Sequence, residues 1–201
     1  MINALLIDFD GVLRHWPDDH ANNVEAEFGL LPGTIARIAF APELVASSVS
    51  GSVTDEAWRA NVAERIGLAH SPVDGQAVVE AWSESSGEID SSALRVIESC
   101  RPSITVTLVT NATSRLPWDL DRLGLSETFD HIVNSSQVGF MKPGPDIFAH
   151  ALRVSGASAS TALFVDDKME NVKGAEQMGI ASHLFESLEG LQSFLASHGV
   201  E

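Results

Sequence analysis

The sequence predicts an α/β protein: a parallel sheet of five strands with a block of helices inserted after the first strand. Three observations carry this. From residue 90 onward, short apolar or β-branched runs alternate with helical segments, the pattern of a parallel sheet covered on both faces. Between residues 14 and 89 there are helix starts and stops but no strand signal. The first apolar run, Ala4-Leu5-Leu6-Ile7, ends in Asp8-Phe9-Asp10-Gly11. There the chain delivers two carboxylates to a turn and then leaves the sheet. Carboxylates buried at a strand end are unfavourable unless a cation or proton compensates them.

The elements follow in order. Residues 4–7 form the first strand. Arg14-His15-Trp16-Pro17 is a polar, Pro-containing exit. A short helix over 22–28 stops at Gly29. Pro32-Gly33-Thr34 opens a helix over 35–40, with Pro32 in its first turn. Thr54 caps a helix over 55–66, which Gly67 ends. Trp58, Val62 and Ile66 recur at a spacing of four and mark its apolar face. Ser71-Pro72 opens another helix through Val78, Val79 and Trp82. Beyond Asp90 come a helix over 92–100, a strand over 104–109, a helix over 114–123 with Pro117 in its first turn, and a strand over 131–133. A helix over 145–154, a strand over 162–165, a helix over 169–178, a strand over 181–185 and a helix over 188–196 complete the chain. Residues 1–14 and 90–201 are therefore expected to form the sheet domain, and residues 15–89 a separate helical block.

Composition limits what such a protein binds. The net charge of −16 over 201 residues argues against nucleic acid and anionic membranes, which need a basic footprint. A small anion remains possible where local lysine, backbone N–H groups or a metal supply positive charge. The single cysteine, Cys100, excludes an internal disulfide and reads as a buried thiol. No run approaches the roughly 20 apolar residues of a membrane span, and the N-terminus lacks a leader pattern. The expectation is a cytoplasmic protein, monomer or weak homodimer. The histidines show no metal-like pairing.

In an open α/β sheet the site lies at the carboxyl ends of the strands. Those ends, with the loop before the 145–154 helix, supply Asp8, Asp10, Thr110, Lys142, Asp166 and Asp167: four carboxylates, a hydroxyl and an ammonium. Carboxylates crowded together repel and raise one another's pKa. A hard divalent cation relieves this, and an oxygen-only donor set suits Mg²⁺.

These residues resemble a known family. Asp8-Phe9-Asp10-Gly11-Val12-Leu13, Thr110-Asn111, Lys142-Pro143-Gly144-Pro145-Asp146-Ile147-Phe148 and Val165-Asp166-Asp167-Lys168-Met169-Glu170-Asn171-Val172 are similar, in order, to the four motifs of the haloacid dehalogenase (HAD) superfamily. The likeness is to its phosphatase-like branch, whose Rossmann-like core carries a small helical cap inserted after the first strand. The resemblance implies Asp8 as nucleophile, forming an aspartyl-phosphate, and Asp10 as general acid and then base. Thr110, with the Asn111 N–H beside it, would bind a phosphoryl oxygen, and Lys142 would neutralise charge there. Mg²⁺ would be held by Asp8, the Asp10 backbone carbonyl and Asp167, with Asp166 as a second ligand or the holder of a metal-bound water.

Two positions depart from the pattern. Asp166 stands where several members have Gly, and Asn171 where they have a later Asp. The activity implied is hydrolysis of a small phosphorylated metabolite, such as a sugar phosphate. A β-phosphoglucomutase-like phosphotransferase uses the same Asp pair. Dehalogenation needs no Mg²⁺, and its enzymes lack an Asp where Asp10 stands. A non-catalytic binder on this scaffold would have lost the nucleophile, acid or lysine. Arg14, His15 and Trp16 lie at the start of the cap, where substrate contact and hinge packing are both open.

Overall fold

The structure, a computed structural model, describes residues 1–200. In chain order its elements are β1 (Ala4–Ile7), β2 (Arg14–His15), α1 (Asp18–Glu27), α2 (Thr34–Ala39), α3 (Pro42–Val49), α4 (Asp55–Ala69), α5 (Gly75–Trp82) and β3 (Glu88–Ile89). Then follow α6 (Ser91–Cys100), β4 (Thr105–Thr110), α7 (Leu116–Arg122), β5 (His131–Asn134), α8 (Ser135–Val138) and α9 (Pro145–Ser155). A 3₁₀ turn over Ala159–Thr161 leads to β6 (Ala162–Asp166), α10 (Met169–Gln177), β7 (Ala181–Leu184) and α11 (Leu188–Ser197).

The main sheet is parallel, with strand order β5-β4-β1-β6-β7. Alternation along β1 sorts its side chains. Leu5 and Ile7 join an apolar cluster that includes Ile97 of α6, Leu120 of α7 and Leu191 of α11. Ala4 and Leu6 join one on the other face with Ile147, Phe148 and Ala175 of α9 and α10. Every β1 side chain is fully buried, Leu5, Leu6 and Ile7 each contributing about 1.5–3 kcal/mol. β1 and its neighbour β6 are both apolar on both faces, Leu163 and Val165 joining the first cluster and Ala162 and Phe164 the second.

Helices α1–α5 gather a third apolar cluster, with Ile35, Trp58, Val62, Ile66 and Val78 inside it. Trp58 and Trp82 pack edge to face at 5.8 Å, and the Trp58 indole N–H donates to the Ala39 carbonyl. This block is reached by two crossings, which pair as the antiparallel strands β2 and β3: Arg14 opposite Ile89, His15 opposite Glu88. No helix among the described residues is long and apolar enough to cross a membrane.

Several element boundaries differ from expectation. Gly67 does not end α4. The helix continues to Ala69, and the His70 N–H still bonds the Ile66 carbonyl, because an interior glycine costs only about 1 kcal/mol. Ser71-Pro72 does not open α5: Asp74 caps it, accepting from the N–H groups of Gln76 and Ala77. Pro32 lies outside α2, whose first flanking residue is Gly33 at φ 81°. The first cap helix begins at Asp18, and α3, opened by Pro42, was not anticipated. Nor were the hinge strands, each only two residues long. Cys100 is buried, as expected.

Candidate active site

Strand register brings the acids together. β1 and β6 run in step, with Ile7 opposite Val165, and the Asp8 N–H donates to the Val165 carbonyl. Asp8 and Asp166 therefore leave neighbouring strands at the same height. Asp167 follows by one residue, and Gly11, at φ 88°, lets the chain turn back against it. A Cβ at Gly11 would overlap the Asp167 carboxylate.

Lys142 comes from the loop between α8 and α9. Its Nζ lies 2.7 Å from Asp8 Oδ1 and 2.6 Å from Asp166 Oδ2. All three side chains are nearly sealed from solvent. Asn111 fixes the lysine by a backbone clasp: its Nδ2 donates to the Lys142 carbonyl and its Oδ1 accepts the Lys142 N–H, both at 2.9 Å. The sequence pointed to the N–H of Asn111, and the structure gives its side chain this second task. Thr110 ends β4 and is buried.

Asp166 is saturated. Oδ2 accepts Lys142 and Asn171 Nδ2; Oδ1 accepts the Lys168 N–H and Asn171 Nδ2. Asn171, noted in the sequence only as a departure, is thus a structural partner of the acid pair. It reaches Asp166 from the first turn of α10. Asp167 contrasts: its Oδ1 is buried and has no hydrogen-bond partner among the described residues. Burial raises the Asp167 carboxyl, Asp166 adds to this, and Lys168 and Lys142 oppose it. Burial pushes Asp8 up to about 7 against the pull of Lys142, with Asp166 adding to the rise. Both Asp8 hydrogen bonds, from Lys142 and from the Phe9 N–H, fall on Oδ1.

Asp8, Asp166 and Asp167 offer oxygens within 4.8 Å of one another. Three carboxylates here meet one ammonium, and one buried carboxylate oxygen has no donor. That donor set fits a hard divalent cation.

Asp10 is placed differently. Its carboxylate lies at the hinge, bound by Arg14 and Trp16, and is not in the acid triad. The helical block closes on the sheet domain through further bonds. The Asp55 carboxylate accepts from Arg59 Nε and the Thr113 hydroxyl. The Asp55 N–H donates to Ser114 Oγ. Arg115 donates to the Ser83 carbonyl, and the Ser135 hydroxyl to the Val49 carbonyl. A cavity of about 450 Å³ opens in this seam, walled by Arg59, Glu80, Arg115 and Trp118 among others. Its walls include none of Asp8, Lys142, Asp166 and Asp167, so it is separate from the acid cluster. His15 is exposed and faces the hinge strand β3 through Glu88.

A parallel sheet whose central strand delivers a buried carboxylate to a lysine and an acidic pair defines the class: an α/β protein with its site at the strand switch point. The chain belongs to the haloacid dehalogenase-like hydrolase family, whose profile matches residues 2–179. A bovine haloacid dehalogenase-like hydrolase domain-containing protein 3 is 29% identical over 123 residues, 60% of this chain and 49% of that protein. A glyceraldehyde 3-phosphate phosphatase from Methanothermobacter thermautotrophicus is 35% identical over 82 residues, 40% of this chain and 36% of that enzyme. The chain thus spans half or less of these curated relatives. A HAD family enzyme from Bacteroides thetaiotaomicron superposes at TM-score 0.77 with 20% identity, covering 96% of this chain and 98% of its own. That enzyme has also been solved with magnesium and inorganic phosphate.

Proposed function

We propose that this chain is a Mg²⁺-dependent phosphatase that hydrolyses a small phosphorylated metabolite through an aspartyl-phosphate, with sugar phosphates as the leading substrate class. The observation that carries the reading is the pairing of a sealed Asp8–Lys142–Asp166 charge array with the donorless Asp167 Oδ1. Such a floor sets three carboxylates against one ammonium, two positive charges too few, and takes an anion only if a dication joins it.

Asp8 is the nucleophile. Lys142 and the Phe9 N–H hold its Oδ1, and Oδ2 attacks phosphorus. An ionised carboxylate needs no base for this. Lys142 also neutralises phosphoryl charge, and Thr110 donates to a phosphoryl oxygen. Asp10 protonates the leaving oxygen and then deprotonates the water that resolves the phosphoenzyme. Asp167 and Asp8, with the Asp10 carbonyl, would hold Mg²⁺, and the saturated Asp166 orients Lys142. When bound, Mg²⁺ offsets the repulsion between the Asp8 carboxylate and phosphate. Residues 15–89 act as a cap that excludes water and selects the leaving group.

The archaeal glyceraldehyde 3-phosphate phosphatase and the magnesium- and phosphate-bound Bacteroides enzyme support this reading. Hydrolysis of p-nitrophenyl phosphate with Mg²⁺, with EDTA and in Asp8→Asn tests it. Activity is expected only in the first arm, and activity indifferent to both changes would sink the mechanism. A metabolite phosphate panel then identifies the substrate, and isomerisation without phosphate release would identify a phosphotransferase instead.

A further inference from the structure

The proton carrier is gripped by a residue outside the four motifs. Arg14 Nε donates to Asp10 Oδ1 at 2.7 Å and Nη2 to Oδ2 at 2.9 Å. Trp16 Nε1 adds a third bond to Oδ1 at 2.9 Å. A two-pronged guanidinium–carboxylate pair fixes the plane of the carboxylate as well as its position.

Arg14 itself is immobilised from every side. It is 3% exposed. Its guanidinium lies between the rings of Phe9 and Trp16, 4.4 and 4.5 Å from their centroids. Nη1 donates to Asp119 Oδ2 at 3.0 Å and reaches the Ser86 carbonyl at 3.5 Å. Asp119 is held in turn by Arg115 at 3.0 Å. These partners come from three places: Phe9, Asp10 and Trp16 from the first hinge crossing, Ser86 from the approach to the second, and Asp119 from α7 of the sheet domain. Burial opposes the Arg14 charge, and Asp10 and Asp119 more than offset this, so its pKa lies above the ordinary value. A guanidinium so engaged is not available to bind a substrate anion.

We propose that Arg14 is a positioning residue for Asp10: the hinge contacts that fix Arg14, at Ser86 and Asp119, set where the proton carrier stands. The inference rests on the reading of Asp10 as acid and base. It turns the hinge from passive packing into the element that makes proton transfer depend on a docked cap. Lysine cannot replace Arg14, because a point charge on a flexible stem lacks the fork.

The test compares kcat/KM for p-nitrophenyl phosphate and for phenyl phosphate, two leaving groups of similar size. The first departs without a proton and the second needs one. Asp10→Asn is expected to lose about 10²-fold or more on phenyl phosphate and far less on p-nitrophenyl phosphate. Arg14→Lys is expected to show the same split at about tenfold, with unchanged far-UV circular dichroism. Asp119→Asn frees Arg14 without touching Asp10, and a weaker split, about threefold, is expected there. Equal losses on both esters in folded Arg14→Lys and Asp119→Asn, beside a split in Asp10→Asn, would overturn the positioning role. Equal losses in Asp10→Asn itself would overturn the reading of Asp10 beneath it.

Discussion

The floor of the site and the seam under the helical block solve charge burial in opposite ways. On the floor, Lys142 is shared by Asp8 and Asp166 while Asp167 keeps a donorless oxygen. In the seam, guanidinium groups meet carboxylates one after another: Arg14 with Asp10 and Asp119, Arg115 with Asp119, Arg59 with Asp55. The ion pairs of the seam balance one another, which suits an interface that must hold. The floor is left in deficit, which suits a place that must take up ions.

The largest way to break this contrast is Lys142→Met. It strips the counter-charge from two nearly sealed carboxylates, and removing one partner of a buried pair costs about 3–5 kcal/mol. Thermal unfolding in EDTA should show a large fall in Tm, and phosphatase activity should vanish. A Tm within a degree of wild type would mean that the floor is not held by this lysine.

The floor was legible in the sequence and the seam was not, for a physical reason. Asp8, Thr110, Asp166 and Asp167 sit where strands end, and strand ends follow from apolar runs; Lys142 sits in the loop that opens α9. Their register then brings them to one edge. Asn171 clasps Asp166, and Asn111 clasps the Lys142 backbone, through contacts across 5 and 31 residues. Nothing in their local sequence shows this, although their places inside the motifs offered a signal. Arg14 and Asp119 lie 105 residues apart, and Thr113 and Asp55 lie 58 apart. Those pairs depend on how the helical block docks, which no periodicity encodes. The missed α3 and the two-residue hinge strands fall in the same region.

Glycine substitutions sharpen the contrast next. Gly11 and Gly33 both have positive φ, 88° and 81°, but a Cβ at Gly33 meets nothing within 4 Å. Alanine at either carries the left-handed backbone cost of about 1–2 kcal/mol. Only at Gly11 does it also displace Asp167. Denaturant titration should show a larger loss for Gly11→Ala, and a Mg²⁺ titration of activity should shift to higher concentration for that variant alone. Equal behaviour of the two variants would remove Asp167 from the metal site.

A smaller effect is expected in the seam. Asp55→Asn keeps a carbonyl oxygen for Thr113 but gives up the charge that Arg59 meets. Hydrogen bonds to a charged group exceed neutral ones by about 1 kcal/mol, so stability should fall by about that much. Hydrogen exchange locates it: amides of α4 should lose protection while those of β1 and β6 keep theirs. Protection lost equally across the sheet would mean that seam and floor open as one unit.

The last effect is one of pH, and it belongs to the floor alone. In metal-free protein, burial raises Asp8 from 3.8 to about 7, Asp166 adding to the rise and Lys142 opposing it. The native state therefore keeps a proton that the unfolded chain releases near 3.8. Between those values the native state binds more protons, so stability falls as pH rises. The Asp8 contribution is fully present below about 4 and is lost as pH passes through 7. Asp8→Asn carries no such proton. In EDTA, the Tm of wild type minus that of Asp8→Asn should decline from pH 4 to pH 7 and level off above 8. Adding Mg²⁺ supplies the counter-charge for the ionised form and should flatten the decline. Parallel curves in EDTA would show that Lys142 already balances Asp8, and the floor would then differ from the seam in burial but not in charge.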